Sequence, residues 1–432
     1  MSITGIGIIA GGSTTKSTII VITESGSIVT CSNGIVTKTA TEKDGQWRFD
    51  NIDNGIWTVT ATKNAMINEK TVNVSKFDVY YIEMPFVRIY GISRDITASS
   101  TAWARTDRAV GMIATASVGT NAGHSDFDNV MPWAGIVRET LSTNDVMVKI
   151  PKFYYRRYRE GNIEHIQIAD NPENGFNVHP LFAHNGKEND YAYIGAYKTS
   201  NDKKSVSGAT PQVNQTRATM RNNAESKGAG WSLIDIAALS AIQMLMLVEY
   251  ADNNTQKVIG QGYCNGSSAL QTGSCDNVPG LTGRPAGTDG KVDVIYRGIE
   301  GIWGNVWEWV DGVNFNNGTF YVCNNQLKYA DNTATDYTAL SYETPTNLDG
   351  YITREGLDTG VNTHVMFPIA ASSGSATTNF CDYVETATDW RVFAHGGQWT
   401  RGSDCGLFCT YLSYKSLDTI PSISSRLLYI PS

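Results

Sequence analysis

The segment Gly301-Ile-Trp-Gly-Asn-Val-Trp-Glu-Trp-Val-Asp-Gly312 constrains this 432-residue chain more than any other stretch. Trp303, Trp307 and Trp309 each carry a large apolar area, too bulky for surface decoration. Once desolvated, their indole N–H groups need partners, as do Asn305, Glu308 and Asp311. The segment, which also holds three glycines, is therefore expected to fold as a packed polar-aromatic hub.

Length and composition set what surrounds that hub. A chain of 432 residues is expected to form two or three domains. Only 18% of residues are charged, while Gly, Ser, Thr and Asn abound, which suits a β- and loop-rich extracellular or virion protein. The net charge of −8 argues against a nucleic-acid partner. The densest basic group, Arg156, Arg157 and Arg159, lies in an aromatic strand and reads as a solvated face. The N-terminus lacks the basic region of a signal peptide. Leu233 to Tyr250 is apolar but interrupted by Asp235, Gln243 and Glu249, so it reads as a core helix, with Ser232 and Asp235 forming a capping box. No membrane insertion is expected. The seven cysteines form no CxxC pair, which argues against zinc. Cys264 and Cys275 could bridge a loop in an oxidising setting, but free thiols are the expectation.

Short β-branched runs separated by Gly and Asn turns fill residues 17–86. Trp47 and Phe49, like Trp57 and Val59, alternate with polar neighbours, the period-two pattern of a half-buried sheet. This module resembles the small immunoglobulin-like β-sandwiches used as spacers in surface and phage tail proteins. Residues 1–16, rich in Gly and Thr, read as an N-terminal arm. Residues 87–144 are irregular, as for a connecting or wrapping segment. A hairpin is expected from Val146–Tyr158 and Ile163–Ile168 around a Glu160-Gly-Asn162 turn. A helix is expected over Thr216–Ser226. From 252 onward, loops and short strands dominate. Two helices followed by a long β region suggest an α+β class.

The C-terminus supplies a counterpart to the hub: Asp389-Trp-Arg-Val-Phe-Ala-His-Gly-Gly-Gln-Trp399, Gly402-Ser403, Cys405-Gly-Leu-Phe408 and Ser425-Arg-Leu427. With Gly304-Asn-Val-Trp-Glu-Trp309, these motifs resemble the C-type-lectin fold of the formylglycine-generating-enzyme subtype. The resemblance covers residues 145–432 and implies an α+β lectin-like ligand-binding domain. Within the subtype, the chain is similar to variable proteins of diversity-generating retroelements and to phage tail receptor-binding proteins. That similarity implies a variable C-terminal region at 396–425.

In that region, framework-like residues such as Gly397, Trp399, Leu407, Phe408 and Arg426 are interleaved with a mixed set. The candidate ligand-binding residues are Gln398, Thr400, Arg401, Asp404, Cys409, Tyr411, Ser413, Tyr414, Lys415, Asp418, Ile420 and Ser422. Tyr, Ser and Asp on a rigid frame supply aromatic area at low entropic cost together with adaptable hydrogen bonding. The plainer alternative is an ordinary exposed loop. The resemblance implies a host-cell surface receptor as partner, protein or polysaccharide. It also implies attachment to other tail proteins through the N-terminal region, and a virion or bacterial-surface location. A homotrimer fits, because avidity raises modest single-site affinity.

Catalysis is not expected. Enzymes of the resembled subtype bind copper through two cysteines, and Arg401 and Gly406 stand at those positions. Cys405 and Cys409 alone do not rebuild that site. No nucleophile elbow occurs. No cofactor is expected either. Asp276, Asp289 and Asp293, with Asn265 and Asn277, lie in Gly-rich loops that could hold calcium, but without the spacing of a calcium-binding loop.

Overall fold

The computed structural model describes residues 16–63, 66–84, 86, 88–184 and 186–431. All of the expected N-terminal arm except Lys16 lies outside these residues. The chain divides into two compact units between Arg88 and Ile89.

In the first unit, alternation builds two four-stranded sheets. One orders Glu42–Lys43, Gln46–Ile52, Ser17–Ile22 and Val79–Glu83, and the other Thr37–Ala40, Ile28–Ser32, Gly55–Lys63 and Met66–Val74. Successive strand residues point to opposite faces, so Trp47, Phe49, Trp57, Val59 and Ala61 turn into one core with Ile19 and Val21. Burying each large aliphatic or aromatic side chain there is worth about 1.5–3 kcal/mol. Trp57 Nε1 keeps a partner by donating to the Asp53 carbonyl at 2.9 Å.

The second unit is built on three larger sheets. Ile89–Asp95 pairs with Ile163–Ala169, and Val137–Thr140 with Val146–Pro151. Phe127 and Trp133 are fully buried in this unit's core. Residues 89–144 therefore contribute strands and core to the unit. The expected hairpin is divided between sheets. Val146–Pro151 pairs with Tyr191–Lys198, whereas Tyr154–Glu160 pairs with Ile163–Ala169. Proline cannot donate to a continuing ladder. The chain leaves the first sheet at Pro151, Lys152 N–H donates to the Asp190 carbonyl at 2.7 Å, and Phe153 is buried.

Two helices bear on the site. Helix α1 (Arg217–Glu225) is capped by Thr216, whose side chain accepts from Thr219 N–H. Helix α2 (Ile236–Tyr250) is buried on every side, which explains its unbroken apolar run. Its N-cap is Asp235, with Oδ1 accepting from Ala238 N–H at 2.8 Å, whereas Ser232 lies in the strand Trp231–Leu233. The interrupting polar residues have partners. Gln243 donates to the Leu407 carbonyl, and Glu249 receives Ser125, Tyr296 and Arg297. Among the described residues no helix is long and apolar enough to cross a membrane.

The class differs from the expected α+β, C-type-lectin-like arrangement. Strand accounts for 40% and helix for 11%, spread over many sheets, and the fold is mainly all-β. Two helices are conspicuous in the sequence because caps and apolar runs are local signals, yet helix is a small share of the fold. The Gly-, Asn- and Thr-rich stretch after 252 holds many two- to seven-residue strands that pair across long separations. Such strands leave little local periodicity to read.

Candidate binding face

Beneath the candidate face, the strand Trp307–Asn316 carries the hub, and its charges are paired. Arg426, fully buried, donates to Glu308 Oε1 through Nε at 2.9 Å and Nη2 at 2.7 Å. It also reaches the Gly195 carbonyl at 2.8 Å and that of Glu300 at 2.6 Å. Lys198 Nζ adds a 2.9 Å ion pair to the same carboxylate. Burial alone would raise the Glu308 carboxyl, but Arg426 and Lys198 overcome it and bring it to about 2. Helix α1 grips the strand from another side. Arg221 holds Asp311 with two bonds of 2.5 and 2.9 Å, and both Arg221 and Arg217 reach Asp331. The Trp303 and Trp309 indoles donate to the carbonyls of Gly260 and Gln215. Of the residues that make this network, Trp303, Trp309, Glu308, Asp311 and Arg426 stand out in the sequence; Lys198, Arg217, Arg221 and Asp331 do not. Their only sequence signal is the basic pair at i and i+4 on one face of α1.

The face forms where Thr410–Leu412 enters the sheet. That strand runs parallel to Tyr383–Thr386, with Glu385 opposite Tyr411, and antiparallel to Trp390–His395. Alternation sends Val384, Thr410 and Leu412 inward and leaves Tyr383, Glu385 and Tyr411 half-exposed together. Tyr351, paired with Tyr383, packs edge-on against it at 5.4 Å. Tyr411 leans on Trp307 at 5.1 Å and on Tyr414 at 4.8 Å, while Tyr414 meets Trp309 edge-on at 5.6 Å. The face therefore rests directly on the hub tryptophans.

Arg401 crosses this aromatic group, its guanidinium carbon 5.5 Å from the Tyr411 ring centre and 5.8 Å from those of Tyr383 and Trp307. Its ion pairs to Glu385 at 3.9 Å and Asp404 at 3.8 Å are long and half-exposed. Hydroxyl groups complete the surface. Tyr383 donates to Asp349 at 2.8 Å, Ser413 donates to Glu385 at 2.5 Å, and the Tyr351 and Ser403 hydroxyls lie 2.6 Å apart. Burial, then hydrogen bonding to Asp349, pushes the Tyr383 phenol up to about 12. Burial, then the Glu385 charge, does the same for Tyr411. Both remain neutral donors at physiological pH. Partial burial also raises the Asp404 carboxyl.

Of the sequence candidates, the structure gathers Arg401, Asp404, Tyr411, Ser413 and Tyr414 into this surface. Gln398 and exposed Thr400 bond each other at 2.7 Å, and the Lys415 N–H donates to Asp418 at 2.8 Å. Ile420 packs against the hub and accepts from Asn214 N–H, while the Ser422 carbonyl accepts from Trp307 N–H. These last two anchor the segment through backbone bonds. Cys409 is buried at 1% exposure among Met220, Leu233, Trp307 and Trp309, so its thiol faces the core and not a ligand. The reason is register: the strand that exposes Tyr411 begins at Thr410, and the turn before it points inward. Burial raises the Cys405 and Cys409 thiols well above their ordinary range. All seven cysteines are free and buried.

Tyr351, Tyr383, Glu385 and Asp349 belong to the face, yet no motif in the sequence marks them. The only local signal is the alternation of Tyr383-Val-Glu-Thr386, and nothing in sequence places that strand beside Thr410–Leu412. Among the described residues no group of three or more His, Cys, Asp or Glu side chains could hold a metal ion. Asp276 is engaged by Arg138, Tyr197 and Ser207, and Asp289 accepts from Gln261 N–H.

No family model matches the chain, and no curated protein matches it. Among solved structures it is similar to a Major Tropism Determinant U1 variant, at 10% identity and a TM-score of 0.26, over 87% of this chain and 81% of that one. It is also similar to the full-length major pilin SpaD from Corynebacterium diphtheriae, at 13% identity and a TM-score of 0.14, over 41% of this chain and 56% of that one. Likenesses this weak carry no argument about fold or function.

Proposed function

We propose that the chain is a non-enzymatic receptor-binding protein of a virion or cell surface, presenting the Arg401–tyrosine face to a host-cell protein or polysaccharide. The observation that carries this reading is the grouping of four half-exposed tyrosines around Arg401 above a charged, hydrogen-bonded hub. Tyrosine offers large contact area with few torsions to freeze, and Ser and Asp around it offer adaptable bonds. A rigid scaffold carrying a tolerant surface is the arrangement that recognition requires. Attachment to other tail proteins through the N-terminal region, and assembly as a homotrimer, belong to the same proposal.

Replacing Tyr383 and Tyr411 together with Ala should abolish adsorption to the host while the protein remains folded by circular dichroism. Unchanged adsorption would support a purely structural tail component instead. We further propose that a retroelement diversifies residues 398–422. A neighbouring reverse-transcriptase gene, with an imperfect copy of the 3′ coding segment differing mainly at adenines, is the expected genomic signature.

A further inference from the structure

Arg401 is held unlike the arginines that brace the larger unit. Arg157 and Arg221 donate to carboxylate and carbonyl oxygens at 2.5–2.9 Å. The Arg401 Nε is buried without a hydrogen-bond partner among the described residues. Its ion pairs to Asp404 and Glu385, at 3.8 and 3.9 Å, exceed hydrogen-bond reach. A guanidinium is a planar fork of directional donors, and little here answers that geometry.

What surrounds the group suits a different kind of cation. The rings of Tyr411, Tyr383 and Trp307 lie 5.5, 5.8 and 5.8 Å from the guanidinium carbon. Ring faces attract positive charge within about 6 Å, with no demand for hydrogen-bond direction. Glu385 and Asp404 add negative charge at the margin. Three aromatic walls with acidic edges form a box for an organic cation whose methyl groups spread its charge and pack against the rings.

The box is built without help from its occupant. Tyr383 is fixed by its bond to Asp349 at 2.8 Å. Tyr411 leans on Trp307 at 5.1 Å and is backed by Tyr414 at 4.8 Å. The Arg401 backbone is pinned as well, since its N–H donates to the Gln398 carbonyl at 3.0 Å and its carbonyl accepts from Asp404 N–H at 3.1 Å. The side chain at 401 alone therefore decides whether the box is filled.

We propose that Arg401 sets the charge selectivity of this face, filling a box that would otherwise accept a quaternary ammonium group. With Arg401 in place, a cationic group on a ligand meets a like charge and is rejected. A small neutral residue at 401 opens the same walls to it. This role in selection rests on the face being the receptor contact, whereas the box itself can be read with a free cation.

The test titrates the full chain, Arg401→Ser and Arg401→Ala with tetramethylammonium by calorimetry, with tert-butanol as the neutral probe of similar shape. Both variants should bind tetramethylammonium saturably in the millimolar range, at least about tenfold more tightly than the native chain and than they bind tert-butanol. Adding Tyr383→Ala to Arg401→Ser should weaken binding by about tenfold. The proposal is overturned by equal binding to the native chain, by no saturable binding to either variant, or by binding that survives Tyr383→Ala. Equal binding of tert-butanol, or unfolding of both variants by circular dichroism, overturns it too. Failure here would leave host adsorption through the tyrosines standing, and failure of adsorption would leave the titration standing.

Discussion

Arg426 and Arg401 both sit beside a glutamate, yet the protein uses them in opposite ways. Arg426 is fully buried, its bonds to Glu308 and to the Gly195 and Glu300 carbonyls between 2.6 and 2.9 Å. Arg401 is half-exposed, its carboxylate partners 3.8–3.9 Å away and its main neighbours aromatic rings. Desolvation makes the difference. A buried charge is tolerable only when its hydrogen bonds are met, so geometry around Arg426 is closely specified. Near water a loose pair is worth about 0–1 kcal/mol, so the surroundings of Arg401 are free to change. The same residue types make a scaffold in one place and an adaptable surface in the other.

The comparison breaks most readily at the buried end. Arg426→Ala should cost about 3–5 kcal/mol in denaturant unfolding, because Glu308 would lose its main partner inside the core. Trp309→Ala should cost a similar amount, about 3–5 kcal/mol, through the cavity left beneath Tyr414. Losses below 1 kcal/mol in either variant would show that the hub does not hold the scaffold.

The pH dependence sharpens the contrast, since the buried groups titrate abnormally. Burial lowers His364 from 6.5 to about 3 and His395 from 6.5 to about 4, so the unfolded chain binds protons first and stability falls as pH drops below about 6.5. Glu308, lowered from 4.5 to about 2, adds a further loss below about 4.5. Glu355 acts in the opposite sense. Burial raises it from 4.5 to about 8, so the stability of its protonated form is full below 4.5 and is lost as pH rises through 8. The two effects oppose between 4.5 and 6.5. The two histidines outweigh the single carboxyl there, so the melting temperature should peak near pH 6.5 and decline on both sides. Glu355→Gln should flatten the alkaline decline, and an unchanged decline would exclude this carboxyl as its source.

The smallest structural effect is expected at the surface. Arg401→Ala should shift stability by no more than about 1 kcal/mol while weakening receptor binding by about tenfold or more. A loss of stability as large as that of Arg426→Ala would make the face part of the scaffold and end the distinction.

Much of the local structure was legible in sequence. The apolar run with Asp235 before it marks α2, and Thr216 marks the start of α1. The density of tryptophan and amide or carboxylate groups at 301–312 requires burial with partners wherever the segment lies, and the alternation of Trp47, Phe49, Trp57 and Val59 requires a sheet with one covered face. These are short-range consequences of side-chain volume, capping and periodicity. Tertiary structure alone decided the rest. It divided the expected hairpin at Pro151, set Tyr383 and Glu385 beside Tyr411, turned Cys409 inward and drew Lys198 into the hub. It also made the fold mainly β where two conspicuous helices suggested α+β. Strand pairing is a contact between distant parts of the chain, and alternation says that a strand has two faces without saying which neighbour covers either one.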